Sequence, residues 1–396
     1  MKFLFDNESF SFETLRAAGF ANYGGAELGE VLVTARAIRD GNEGDWHREW
    51  KATAARVRSL AEGSLADGHR VSAREAFLRA SNYYRTAEFF LRERPATDPE
   101  VAELFAASTD TFRSAAELLD TPVRPVSIPY EGTTLPGYLF LADDSGQPRR
   151  TIVYNSGFDS TLEESYFAIA AAALRRGYHV LAFDGPGQGA ALRRGGLVFR
   201  PDWESVITPV IDHALTHPEI DPAGLALFGY SLGGYLVARA AAFEKRIAAL
   251  VLDDGVYDFH DAFAQSLPPY LADWIYQGRD EVAEPVLAMM MAASGHLRWA
   301  LNNGIWTMGA DSAADFIRRT RAYALADVVD RIDCPTLVMD ADNDQFLNGQ
   351  PERVHKALTG STLITLREAD GAGEHCHMGA MSRLHQCVFD WLERIG

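Results

Sequence analysis

Gly229-Tyr230-Ser231-Leu232-Gly233, directly after the apolar run Leu225-Ala226-Leu227-Phe228, decides how this chain is read. The run predicts a buried strand, and Leu232 to about Phe243 predicts a helix. Between them lies a turn so sharp that the residues two before and two after the serine crowd together, which only small residues permit. Such a turn lifts the Ser231 hydroxyl above the sheet edge and aims the Leu232 N–H at the same point. The pattern is a moderate signal by itself, so its meaning rests on what the rest of the chain supplies.

A serine hydroxyl needs a base to take its proton and an acid to orient that base. In a sheet of this kind the expected order is serine, carboxylate, histidine, each on a loop after a strand. Cys334-Pro335-Thr336-Leu337-Val338-Met339 reads as a strand and runs into Asp340-Ala341-Asp342-Asn343-Asp344. Ser361 to Leu366 reads as the next strand, followed by the loop Gly371-Ala372-Gly373-Glu374-His375-Cys376-His377 and a closing helix from Met381 to Ile395. Asp344 is favoured as the acid, because Ala341 to Asp344 follows the common small-acidic-x-Asp form of this loop. Asp342 is the second choice, and Asp340, nearest the strand, is read as structural. The aspartate run imitates a calcium loop only at its start: Gln345 and Pro351 stand where glycine and glutamate are needed. His375, the first histidine after the glycine-rich turn, is favoured over His377 as the base. The two histidines as a zinc pair have no third ligand at a telling spacing, and no metal or cofactor is expected.

An oxyanion needs two backbone donors. One is expected from Leu232 N–H. The other is expected from Asn155-Ser156-Gly157-Phe158-Asp159, the loop after the strand Arg150–Tyr154, with Phe158 N–H as the better candidate.

Composition agrees with a large soluble enzyme. The 396 residues are 47% hydrophobic and 23% charged, enough for a large core and more than one domain. A formal net charge of -18 argues against nucleic acid or an anionic membrane as partner. Met1-Lys2-Phe3-Leu4-Phe5-Asp6 turns acidic too soon for a signal peptide, and no apolar run reaches membrane-spanning length. Three cysteines, Cys334, Cys376 and Cys387, offer no disulfide framework, and the expected location is cytoplasmic.

Three regions stand out. Residues 1–122 are helix-rich, with helical spacing from Trp46 to Leu60 and from Ala73 to Leu91. Residues 123–396 begin with an antiparallel hairpin and then alternate strand and helix, which predicts a mostly parallel α/β sheet with helices on both faces. Gly185-Pro186-Gly187-Gln188-Gly189 lacks dinucleotide-binding spacing and is read as a loop. Residues 256–330, between the strands at Ala248 and Thr336, form a helical insertion expected to act as a lid. Tyr230 with Trp274, Tyr276 and Trp306 are the expected substrate contacts.

The core resembles an α/β-hydrolase. Asn155-Ser156-Gly157-Phe158-Asp159 with Glu163-Glu164, Phe183 to Gly189, Gly229 to Gly234, and Gly373-Glu374-His375-Cys376 are similar to one subgroup of that superfamily. The subgroup holds bacterial 2,6-dihydroxypseudooxynicotine hydrolase and fungal hydrolases that shorten polyketide chains. The resemblance covers 123–396 well and 1–122 only in helical character. It implies a Ser-Asp-His triad that cleaves a carbon–carbon bond beside a ketone in a β-diketone-type small molecule, and a homodimer. It leaves carboxylesterase or lactonase chemistry open, as it does a non-hydrolytic cyclase or binding protein on the same fold.

Overall fold

A computed structural model describes residues 2–264 and 267–395 of the chain. Its centre is an eight-stranded sheet in the order β1-β2-β4-β3-β5-β6-β7-β8. The strands are β1 (Val123–Tyr130), β2 (Thr133–Phe140), β3 (Arg149–Asn155), β4 (His179–Phe183), β5 (Ile220–Tyr230), β6 (Ala249–Asp253), β7 (Thr336–Ala341) and β8 (Thr362–Leu366). β1 and β2 form a hairpin whose two turn residues, Glu131 and Gly132, both have positive φ, the geometry that matches strand twist. β2 meets β4 antiparallel, and from β4 to β8 every pairing is parallel.

The central strands are apolar on both sides because helices cover both faces. Alternation along each strand divides the core in two. Ile152, Val180, Phe228 and Val251 face one side, where the closing helix Met381–Ile395 packs. Val153, Leu181, Leu227 and Leu250 face the other, against the helices Glu204–Ala214 and Gly233–Ala241.

The N-terminal helices Glu8–Gly19, Leu28–Arg36, Glu43–Ala66, Arg70–Glu88 and Pro99–Ala116 share the first of these clusters with the sheet. Phe20 stacks on Phe167 at 5.2 Å between ring centroids, and Phe112 meets Tyr138 of β2 at the same distance. Buried charge joins the same regions. Arg16 contacts Asp159 at 3.2 Å and Glu164 at 2.8 Å, while Arg85 reaches Glu13 at 2.8 Å and Glu164 at 3.2 Å.

Glu164 is thus tied from outside its own segment, and it also closes a capping box with Thr161. The segment that follows is split into a 3₁₀ turn (Leu162–Glu164), a π-helical stretch (Tyr166–Ala170) and an α-turn (Ala171–Leu174). Between β6 and β7 lie the helices Phe259–Ala264, Pro269–Tyr276, Asp280–Ala293, Gly295–Thr307 and Ala313–Thr320; residues 265 and 266 of this insertion lie outside the described ones. Among the described residues no helix is long and apolar enough to cross a membrane.

Candidate active site

Ser231 follows the last residue of β5 and has a φ of 57°, in the left-handed region that a side chain adopts only under constraint. Two hydrogen bonds hold it there. Its N–H donates to Asp253 O at the end of the neighbouring β6 (2.6 Å), and Gly234 N–H donates to its carbonyl (2.8 Å). The flanking glycines are steric necessities. A Cβ on Gly229 would lie 2.2 Å from Gly233 O, and one on Gly233 would lie 2.5 Å from Asn155 O.

The loop after β8 brings His375 to this serine. Its Nε2 lies 2.9 Å from Ser231 Oγ, and its Nδ1 lies 2.8 Å from Asp344 Oδ2. Asp344 is itself held, since its Oδ1 accepts N–H bonds from Phe346 (2.7 Å) and Leu347 (3.0 Å). The alternatives point elsewhere. Asp342 accepts from Glu368 N–H, and Asp340 accepts from the Thr365 hydroxyl of β8. His377 bonds the Ala372 carbonyl through Nδ1 and places Nε2 3.2 Å from Asp253 Oδ1. This arrangement can pass the Ser231 proton to His375 while Asp344 orients the ring.

A second carboxylate, one that sequence reasoning missed, shares the histidine. Asp254 Oδ2 lies 2.9 Å from His375 Nδ1, almost as close as Asp344. Burial, reinforced by the negative charge of Asp344, pushes the Asp254 carboxyl up to about 7. Burial also opposes ionisation of Asp344, but His375 beside it outweighs that and holds Asp344 well below the usual carboxylate range. Burial pulls the His375 imidazole down, and Asp344, together with Cys376 and Asp254, more than reverses this, leaving it well above its ordinary value. The pair thus settles as one ionised acid and one whose carboxyl is held far above the usual carboxylate range. The available signal was Asp253-Asp254 directly after a buried apolar strand, at the edge where parallel sheets collect their functional groups. Asp253 and Asp254 also surround His377, so the histidine has potential co-ligands that spacing along the chain did not reveal.

The loop after β3 is fixed from behind. Gln188 Nε2 donates to Ser156 O (2.6 Å) and Gly157 O (3.1 Å), and Asn303 Nδ2 donates to Phe158 O (3.1 Å). Gln188 is steered by Asn155, which in turn accepts from Trp203 Nε1 at 2.6 Å. These bonds engage the carbonyls of Ser156, Gly157 and Phe158. Neither Phe158 N–H nor Leu232 N–H has a backbone acceptor among the described residues. Gly157 lies so close that an added Cβ would be 2.7 Å from Ser231 Cβ. Gln188 stands in the glycine-rich loop read from sequence as a mere connection; a lone amide among glycines was its only signal.

A cavity of about 550 Å³ opens on Ser231 and His375. Its walls are aromatic and come from all three regions of the chain: Phe12 and Phe89, then Phe158 and Tyr230, then Phe263 and Trp299. Trp299 stacks on Phe89 at 4.5 Å and donates its Nε1–H to Phe89 O at 2.8 Å, joining the insertion to the N-terminal helices. Of the four expected substrate contacts only Tyr230 lines this cavity. Trp274 packs on Tyr270, and Tyr276 bonds His260 Nε2 at 2.6 Å. Trp306 lies against the guanidinium groups of Arg92 and Arg193. It follows Trp299 by seven residues on one helix, about 10 Å along the axis, which carries it past the cavity.

Residues 154–385 match the alpha/beta hydrolase family, and residues 29–266 match the esterase FrsA-like family. The chain belongs to the alpha/beta hydrolase family and is a hydrolase. It is 37% identical over 412 residues to hydrolase LUC6 of a Fusarium species, a match covering 98% of this chain and 97% of the relative. It is 36% identical over 412 residues to the 20-hydroxy-prefusarin hydrolase FUS2 of Gibberella moniliformis, with 98% and 97% covered. Among solved structures, that of 2,6-dihydroxy-pseudo-oxynicotine hydrolase has the same fold, with a TM-score of 0.76 at 23% identity over 96% of this chain and 95% of the other.

Proposed function

We propose that the chain is a serine hydrolase that cleaves a carbon–carbon bond in an aromatic or polyketide β-diketone-type compound. Ser231 attacks the carbonyl carbon, His375 accepts its proton, and Asp344 orients His375. Phe158 and Leu232 N–H groups hold the oxyanion of the tetrahedral intermediate, which collapses to an acyl-enzyme that water releases. The observation that carries this reading is His375, set 2.9 Å from Ser231 Oγ and 2.8 Å from Asp344 at the floor of an aromatic cavity. Apolar walls favour a flat, uncharged substrate over a charged one. The FUS2 relative is named a hydrolase of 20-hydroxy-prefusarin, which supports reading the substrate as a polyketide.

Hydrolysis of a carboxylic ester or lactone is the second reading, favoured by the esterase FrsA-like match over 29–266. A fluorophosphonate probe tests the common mechanism. It should label Ser231, and Ser231→Ala should abolish both labelling and turnover while leaving the fold intact. Turnover that survives this substitution would sink the mechanism. Product analysis with a β-diketone and an ester of matched size then separates the two readings.

A further inference from the structure

A second cavity, of about 540 Å³, borders Asp344. Its walls are polar, Asp342 among them, and exposed Lys2, Asp6 and Asn348 open it to solvent. His375 borders the aromatic cavity instead, so the 2.8 Å hydrogen bond between His375 and Asp344 spans the two spaces. Among the described residues only Phe12 and Gln345 line both. Gln345 is polar and exposed, whereas Phe12 is 7% exposed and forms the apolar part of the partition. The Phe12 ring meets Phe346 edge-on at 5.4 Å and lies 6.1 Å from the His375 imidazole, which Phe346 approaches at 5.0 Å. The helix that carries it is anchored nearby. Arg16, four residues on and therefore on the same face, is held by Asp159 and Glu164. The apolar wall beside the histidine thus comes from the first helix of the chain, and the loops after β7 and β8 do not supply it.

We propose that Phe12 is a positioning residue that keeps the solvent of the second cavity away from the His375–Asp344 pair. This rests on the serine-hydrolase reading above. A carboxylate holds an imidazole more firmly where water is absent, because water screens its charge and competes for its oxygens. Asp344 Oδ1 is already occupied by two N–H groups, so Oδ2 is the oxygen that water would take from His375. With that bond weakened, the ring loses the orientation that sets Nε2 on Ser231 Oγ. Phe12 touches no reacting atom in this role. It acts through His375, by closing the side on which the polar cavity lies, and it gives the N-terminal helices a direct part in the site.

The test replaces Phe12 by leucine, valine and alanine and follows p-nitrophenyl acetate, a substrate too small to need the cavity walls. The orienting acid of a serine triad is worth about 10⁴ in turnover, and Phe12→Ala, which wets that acid without removing it, should lose at least about tenfold in kcat. KM should change little, the pattern of an interaction used in the transition state. Phe12→Leu keeps an apolar wall and should recover most of the loss. A second arm needs no turnover. The Nδ1 proton of a histidine bound to a carboxylate gives a proton resonance far downfield of the amides while it is sheltered from exchange with water, and His375→Gln identifies it by removing it. The wild type and Phe12→Leu should show this resonance, and Phe12→Ala should lose it. Unchanged kcat in Phe12→Ala, a change confined to KM, or a resonance that survives in Phe12→Ala or is missing from the wild type overturns the proposal. Should circular dichroism show Phe12→Ala unfolded, Phe12→Val carries the same comparison. If Ser231 takes no fluorophosphonate label and the ester is not turned over, the hydrolase reading fails, and the resonance alone decides what Phe12 shelters.

Discussion

Replacing Asp344 by asparagine should harm this enzyme far less than loss of the acid harms an ordinary triad. Losing the orienting carboxylate in a serine triad lowers turnover by about 10⁴. Here Asp254 Oδ2 stands 2.9 Å from His375 Nδ1, against 2.8 Å for Asp344 Oδ2. Coulomb attraction varies as the inverse of distance, so an ionised Asp254 would pull on the imidazolium almost as strongly as Asp344 does. The Asp254 carboxyl is pushed up to about 7 because it is buried beside an ionised Asp344. Once that neighbour is neutral, the repulsion is gone and Asp254 can ionise in its place.

Asp254 Oδ2 accepts the Cys376 N–H at 3.3 Å, and what this acid lacks is support at the other oxygen. Asp344 Oδ1 accepts two N–H bonds, whereas Asp254 Oδ1 is buried without a partner. An unsatisfied buried acceptor costs about 1–3 kcal/mol, which is about 5- to 150-fold in rate. Asp344→Asn should therefore lose about 5- to 150-fold in kcat/KM on p-nitrophenyl acetate, and only Asp344→Asn with Asp254→Asn should approach the full 10⁴. The pH profile gives an independent reading. The carboxylates raise His375, and the base must be neutral to act, so the double variant should move the acid limb to lower pH. If Asp344→Asn alone loses the full 10⁴, and adding Asp254→Asn changes nothing further, the second carboxylate has no part in catalysis.

Other outcomes follow from the same geometry. His375→Ala should cost several orders of magnitude in kcat, while His377→Ala, whose ring turns to Asp253 and Ala372, should act mainly on thermal stability. Gly157→Ala should suppress turnover sharply without unfolding the chain, because the added carbon would lie 2.7 Å from Ser231 Cβ; near-normal kcat would show that the loop yields. Arg16→Met leaves Glu13, Asp159 and Glu164 without their central cation and should destabilise by about 3–5 kcal/mol in urea titration. Deletion of residues 1–122 removes this tie together with cavity walls, and should leave protein that is insoluble or inactive. His385 is buried between the Tyr23 hydroxyl and Ala168 O, each 2.6 Å away, and burial holds it down to about 4. An unfolded histidine titrates near about 6.5, so this stability is present above about pH 6.5 and is lost as pH falls toward about 4. The loss amounts to about 3 kcal/mol, which His385→Gln should remove from the pH dependence of unfolding.

The triad candidates were legible because each sits at a strand end whose apolar run announces it. Ser231 lies between two obligatory glycines, and Asp344 and His375 follow β7 and β8 in the expected chain order. The choice between His375 and His377 was less so. The backbone from Glu374 to Met378 turns twice through positive φ, at Cys376 and His377, and sends the two rings in different directions. No local propensity specifies that.

Local sequence by itself determined the sheet, the elbow and the order of the functional loops, because these depend on periodicity and on steric limits within a few residues. Only the tertiary structure decided which residues meet. Asp254, Gln188 and Asn303 come from three separate loops or helices and converge on Ser231 and its neighbours through contacts more than thirty residues apart in the chain. The insertion shows the same division. Trp274 and Trp306 were the expected substrate contacts and Trp299 was passed over, yet Trp299 lines the cavity and Trp306 does not. What separates them is two turns of helix and the buried arginines on which the second one rests, and neither is visible until the helix is docked.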